Sequence, residues 1–114
     1  MTLQILKDNY PKSLELLKDW MLQIIKQTPG ITPDFINKAP IDMLIGLLLS
    51  NSSSVRQLYE FMDSNEFILC VTTYHNLGWH YSINGTEYLD LYPNRILAEE
   101  KGFIDCFILL EQKL

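Results

Sequence analysis

The pattern of apolar and polar positions divides the chain into a helical first half and a strand-rich second half. From Pro11 to Gln27, Leu14, Leu17, Trp20, Met21, Ile24 and Ile25 share one side of a wheel turning about 100° per residue. Glu15, Lys18, Asp19, Gln23 and Lys26 share the other side. This spacing predicts an amphipathic helix on a core. Its start is marked by Pro11 at a first helical position, with Asp8 or Asn9 near enough to cap, and its end by Thr28-Pro29-Gly30. "TPDFINKAP" predicts a short helix capped by Thr32, with Pro33 at its first position, and ended by Pro40. "IDMLIGLLL" is apolar nearly all round and predicts a buried helix. After the polar break "SNSSS", Ser54 and Gln57 have capping-box spacing, and Val55, Leu58, Tyr59 and Met62 continue with helical periodicity.

The period then changes. Glu66 to Tyr74 is rich in β-branched and aromatic residues, as strands are. Asn84-Gly85 between "WHYSI" and "TEYLDLY" predicts a two-residue hairpin, because a type I′ turn needs positive φ at both central positions. That closure sets Ile83 opposite Thr86, Ser82 opposite Glu87 and Tyr81 opposite Tyr88. The expected fold class is α+β: N-terminal helices, a three-stranded antiparallel β-meander and a C-terminal helix, in two layers, with residues 1–114 forming a single globular domain. The last helix begins near Asn94. Its wheel gathers Ile96, Phe103, Ile104, Phe107, Leu110 and Leu114 on a buried face that also takes in Glu100 and Glu111, a conflict that a kink or break at Gly102 would relieve. Leu17, Ile24, Leu48, Val71, Phe103 and Phe107 are expected in the core.

Composition narrows the function classes. With 114 residues and 47% hydrophobic content the chain can close a core without metals or disulfides. The first twelve residues lack a secretory apolar region, and the longest apolar run, Met43 to Leu49, is far short of the roughly 20 residues that cross a bilayer. A cytoplasmic protein is expected, with Cys70 and Cys106 as reduced core residues. The net charge of −5 is uneven: residues 1–57 hold six basic and five acidic side chains, and residues 58–114 hold three and nine. An acidic half without a basic stripe argues against nucleic acid, and the mixed charge on the amphipathic helix argues against a membrane surface. A basic protein partner, or a second copy of the chain, is favoured.

No constellation commands a reaction. His75, His80, Cys70 and Cys106 lack metal-ligand spacing, and no phosphate-cradling, dinucleotide-binding or nucleophile-elbow motif occurs, so neither metal nor cofactor is implied. Catalytic use of either cysteine is disfavoured by apolar neighbours. The remaining candidates are the aromatic residues of the hairpin. Trp79, Tyr81 and Tyr88 fall on one sheet face and, with His80 and Tyr92, form the candidate binding residues of a protein-interaction module. Helices can cover only one face of such a sheet. If they cover this one, the three rings are core and His80 and Ser82 look outward. The alternative function is a small-molecule-binding or enzymatic domain using His80, Tyr81 and Glu100.

The segment from Trp79 to Leu114, "WHYSINGTEYLDLYPNRILAEEKGFIDCFILLEQKL", resembles the ends of small uncharacterised proteins encoded in phage-like and mobile regions of gut Bacteroidetes genomes. The shared features are the aromatic hairpin, a Tyr-led turn, an Ala-Glu helix start and an apolar tail. The resemblance covers the C-terminal third and implies a mobile-element setting without implying an activity.

Overall fold

Thr2 supplies the first helix cap, its hydroxyl accepting the Ile5 N–H, and a short helix α1 (Leu3–Asn9) follows that the polar interruptions of its sequence conceal. The structure, a computed structural model, describes residues 1–27, 29–30, 41–50 and 55–114. Helix α2 (Pro11–Gln27) has the span its periodicity predicts, and Leu14, Leu17, Met21 and Ile25 form its buried stripe. Ile24 is only half-buried, because Ile25 lies closer to the centre of that stripe. Helix α3 (Ile41–Ser50) buries Ile45 and Leu48 and leaves Met43 and Leu47 exposed, so it is covered on one side rather than all round. The helix expected over residues 32–39 and the capping residue Ser54 lie outside the described residues.

By its internal contacts the chain forms two compact units, Met1–Gln57 with Leu114, and Leu58–Lys113. In the first, α1, α2 and α3 pack on one another around Leu6, Leu17 and Ile45, each fully buried. Lys7 and Lys18 both reach Asp42 in the first turn of α3, each at 3.3 Å. Their hydrogen bonds and positive charges hold the Asp42 carboxyl below its ordinary pKa.

The second unit carries the sheet. Helix α4 (Val55–Ser64) ends in a Schellman motif: the Phe67 N–H donates to the Met62 carbonyl and the Glu66 N–H to that of Asp63, with Glu66 at φ 69°. This turn occupies the start of the expected strand, so β1 is shorter, Leu69–Thr73. Strands β2 (Trp79–Ile83) and β3 (Thr86–Tyr92) complete an antiparallel meander in the order β1-β2-β3. At the hairpin tip Asn84 has φ 53° and Gly85 φ 83°, and the predicted register is observed. Helix α5 (Arg95–Lys113) lies across one face of the sheet, making two layers. The α+β class, the strand arrangement and the C-terminal helix are therefore those the sequence predicts.

Helix α5 runs through Gly102 without a break. A Cβ there would lie 2.7 Å from Leu69 Cδ1 and 3.4 Å from Tyr81 Cδ2, so the glycine lets helix and sheet approach closely. The Glu100 conflict is resolved by rotation of the buried stripe instead. Ala98, Phe103, Cys106, Phe107 and Leu110 face inward, whereas Glu100 is exposed and Ile96 and Leu114, expected inside, are outside. Phe61 packs on Phe107 with ring centroids 6.3 Å apart, and Tyr59 meets Phe103 edge-on at 4.9 Å. Val71 is half-buried and Cys70 exposed, because β1 is an edge strand. No helix among the described residues is long and apolar enough to cross a membrane.

Candidate functional site

Consecutive strand residues point to opposite faces, so β2 sends Trp79, Tyr81 and Ile83 to one side and His80 and Ser82 to the other. The first side is the one under α5. Tyr81 is 2% exposed, and its hydroxyl donates to the Asp105 carboxylate, which also pairs with Lys101 at 3.4 Å. Burial and then Asp105 raise the Tyr81 pKa above its ordinary value, so the phenol stays protonated as a hydrogen-bond donor. Tyr88 stacks on Tyr81 with centroids 5.0 Å apart and Tyr92 lies tilted at 6.2 Å, while Trp79 stands across from Tyr92 in the ladder. Trp79, Tyr88 and Tyr92 are half-buried. Tyr81 is thus the centre of the sheet–helix layer, and its three neighbours form the rim of that layer.

The opposite face differs from a plain polar surface. His80 is only 7% exposed although no helix of its own unit lies over it. An irregularity in β3 explains this. Between the pairs Tyr81–Tyr88 and Trp79–Tyr92, β2 advances two residues and β3 advances four, so Leu89, Asp90 and Leu91 all stand opposite His80. Leu89 and Leu91, with Tyr74 at the end of β1, wall a cup of about 180 Å³ that has His80 in its lining. Tyr74 meets the imidazole edge-on at 5.6 Å. His80 Nδ1 is buried and has no hydrogen-bond partner among the described residues.

Leu89 is 75% exposed, Leu91 46% and Tyr74 45%, and together they leave an open apolar surface on this face. Glu87 and Asp90, exposed on the same strand, have no ion pair among the described residues, whereas the three cations of the unit pair with Glu99, Asp105 and Glu66. Leu89, Leu91 and Tyr74 were not among the residues singled out from the sequence. Their signal is present in "TEYLDLY", where both parities are apolar: Tyr88 and Tyr92 on one, Leu89 and Leu91 on the other.

His80, Tyr81 and Glu100 do not converge. His80 and Tyr81 occupy opposite faces of β2, and Glu100 is an exposed residue of α5. No group of three or more His, Cys, Asp or Glu side chains among the described residues could hold a metal ion. The face opposite α5 thus combines an open apolar surface with Glu87 and with a buried imidazole nitrogen that has no hydrogen-bond partner among the described residues. Comparison with known proteins finds no matching family model, no matching curated protein and no matching solved structure.

Proposed function

We propose that this protein is a cytoplasmic interaction module of the inhibitor or immunity-like kind, which captures a basic protein partner on the sheet face opposite α5. The reading rests chiefly on the exposure of Tyr74, Leu89 and Leu91 on the face that also carries Glu87, a carboxylate with no ion pair among the described residues. Apolar anchors at the centre of a patch supply affinity, and carboxylates beside them attract and orient a cationic partner. A second copy of the chain suits the same surface less well, since it brings its own Glu87 to the interface and like charges oppose one another. Within this reading, the binding residues expected among the aromatics act in different ways. His80 belongs to the contact surface, and Tyr81, with Tyr88, Tyr92 and Trp79, supports the sheet from behind.

The test is differential capture from the native host with the wild-type chain and the Leu89→Ser/Leu91→Ser double variant. A basic protein that co-purifies with the wild type, dissociates in high salt and is lost with the variant supports the reading. Identical capture by both chains, with the variant's melting temperature unchanged, refutes it.

A further inference from the structure

Asn84-Gly85 is the one Asn-Gly pair in the sequence, and both residues are exposed at the hairpin tip. In an unfolded chain such a pair loses its side-chain amide more readily than other asparagines do, because glycine sets no side chain beside its own nitrogen. That nitrogen attacks the asparagine Cγ, the Cγ–Nδ2 bond breaks, and ammonia leaves with the proton that the nitrogen gives up. Water then opens the resulting succinimide at one of its two carbonyls. The product is an aspartate, or an isoaspartate whose main chain runs through the former side chain.

The fold withholds this reaction in two ways. Positive φ at both residues, 53° and 83°, in a two-residue loop makes the turn type I′. There the asparagine ψ is about 30°, the mirror image of the type I value. Ring closure needs the Gly85 nitrogen to eclipse the Asn84 Cβ, a rotation of roughly 150° from that turn geometry, which the chain cannot make while Ile83 and Thr86 stay paired. The amide is also held at both of its polar atoms by the segment leading into β1. The Ile68 N–H donates to Oδ1 at 2.7 Å, and Nδ2 donates to the Glu66 carbonyl at 2.9 Å. The Asn84 N–H donates in turn to the Ile68 carbonyl, also at 2.9 Å.

We propose that Asn84 is a latent deamidation site, which the folded hairpin keeps closed and whose conversion, after the hairpin opens, prevents it from closing as before. An aspartate at position 84 still accepts from the Ile68 N–H, but it has no donor for the Glu66 carbonyl and turns a negative oxygen toward it. An isoaspartate adds one atom to the main chain of the loop, so the two-residue closure and the register that depends on it are lost. Opening therefore exposes the site, and the modification in turn favours the open form. This inference is independent of the interaction reading.

Mass spectrometry of fragments from the intact chain, incubated at mildly alkaline pH with and without urea, measures the conversion of Asn84 against that in a peptide spanning residues 80–89. In the folded chain Asn84 should convert at least about tenfold more slowly than in the peptide, since both side-chain hydrogen bonds must first be given up. In urea the chain and the peptide should convert at the same rate. Equal rates in the folded chain and the peptide overturn the protection, as does a rate in urea that stays as low as in the folded chain. Asn84→Asp, which stands for the aspartate product, should unfold at a lower urea concentration than the wild type or fail to fold. An unchanged midpoint overturns the consequence drawn for conversion.

Discussion

Cys106 is fully buried on the inner side of α5, and its thiol is pushed up to about 12 by burial first and by the Asp105 and Asp63 carboxylates after it. An unfolded thiol titrates near 9.0. The stability that Cys106 contributes is therefore complete below pH 9 and falls as the pH rises toward 12, by at most about 1.4 kcal/mol per pH unit. The raised Tyr81 phenol acts in the same direction above its ordinary value. Urea unfolding followed across the alkaline range should show this loss, and Cys106→Ala should make it shallower. Cys70, exposed on the uncovered face of β1, should react at once with a thiol reagent in the native protein, whereas Cys106 should react only on unfolding. Two cysteines in similar apolar strings differ because strand parity and edge position, rather than neighbours in sequence, decide burial. Gly102→Ala tests the close helix–sheet approach. Alanine favours a helix by about 1 kcal/mol, but overpacking against buried Leu69 costs about 1 to 3 kcal/mol, so a net loss of stability is expected in thermal melts.

Among elements, the hairpin is tied to the strand start by one side chain. The Ile68 N–H donates to Asn84 Oδ1 at 2.7 Å, and Asn84 Nδ2 donates to the Glu66 carbonyl at 2.9 Å. Asn84→Gly keeps the turn's positive φ but removes both bonds, for an expected loss of about 1 to 2 kcal/mol in denaturant unfolding. Asn84→Ala should cost more, since it adds left-handed strain. The opposite sign is expected at the end of α4. Glu66 holds the left-handed position where a Schellman motif prefers glycine, so Glu66→Gly should raise stability by up to about 1 kcal/mol, and only an exposed pair with Lys113 is lost. In α5, Phe107→Ala should cost about 3 to 5 kcal/mol, because the ring is fully buried against Phe61.

For the whole molecule, charge separates the two ends of the chain. Residues 58–114 hold three basic and nine acidic side chains, a net −6, whereas residues 1–57 hold a net +1. If the acidic unit draws in a basic partner, association should slow as ionic strength rises, and Glu87→Gln/Asp90→Asn should slow it at low salt while leaving dissociation nearly unchanged. Stopped-flow or surface-based kinetics with the captured partner would show this. Equal effects on both rates would place the two carboxylates in the packed centre of the contact rather than beside it.

The sequence by itself determined the features that depend on near neighbours. Helix α2 keeps its predicted bounds because Pro11, the apolar period and the Thr-Pro-Gly stop act within a few residues of one another. The hairpin register follows from Asn84-Gly85, since a two-residue turn leaves one pairing. Parity likewise told which rings share a face, but it cannot tell which face a helix will cover, because both parities of β3 are apolar. Only the packing of α5 through Gly102 onto Leu69 and Tyr81 decided that Tyr81 is inside and that Leu89 and Leu91 are outside. The cup around His80 was equally out of reach of the pattern. It exists because β3 takes two more residues than β2 to cover the same stretch of ladder, a property of two strands together and of neither alone.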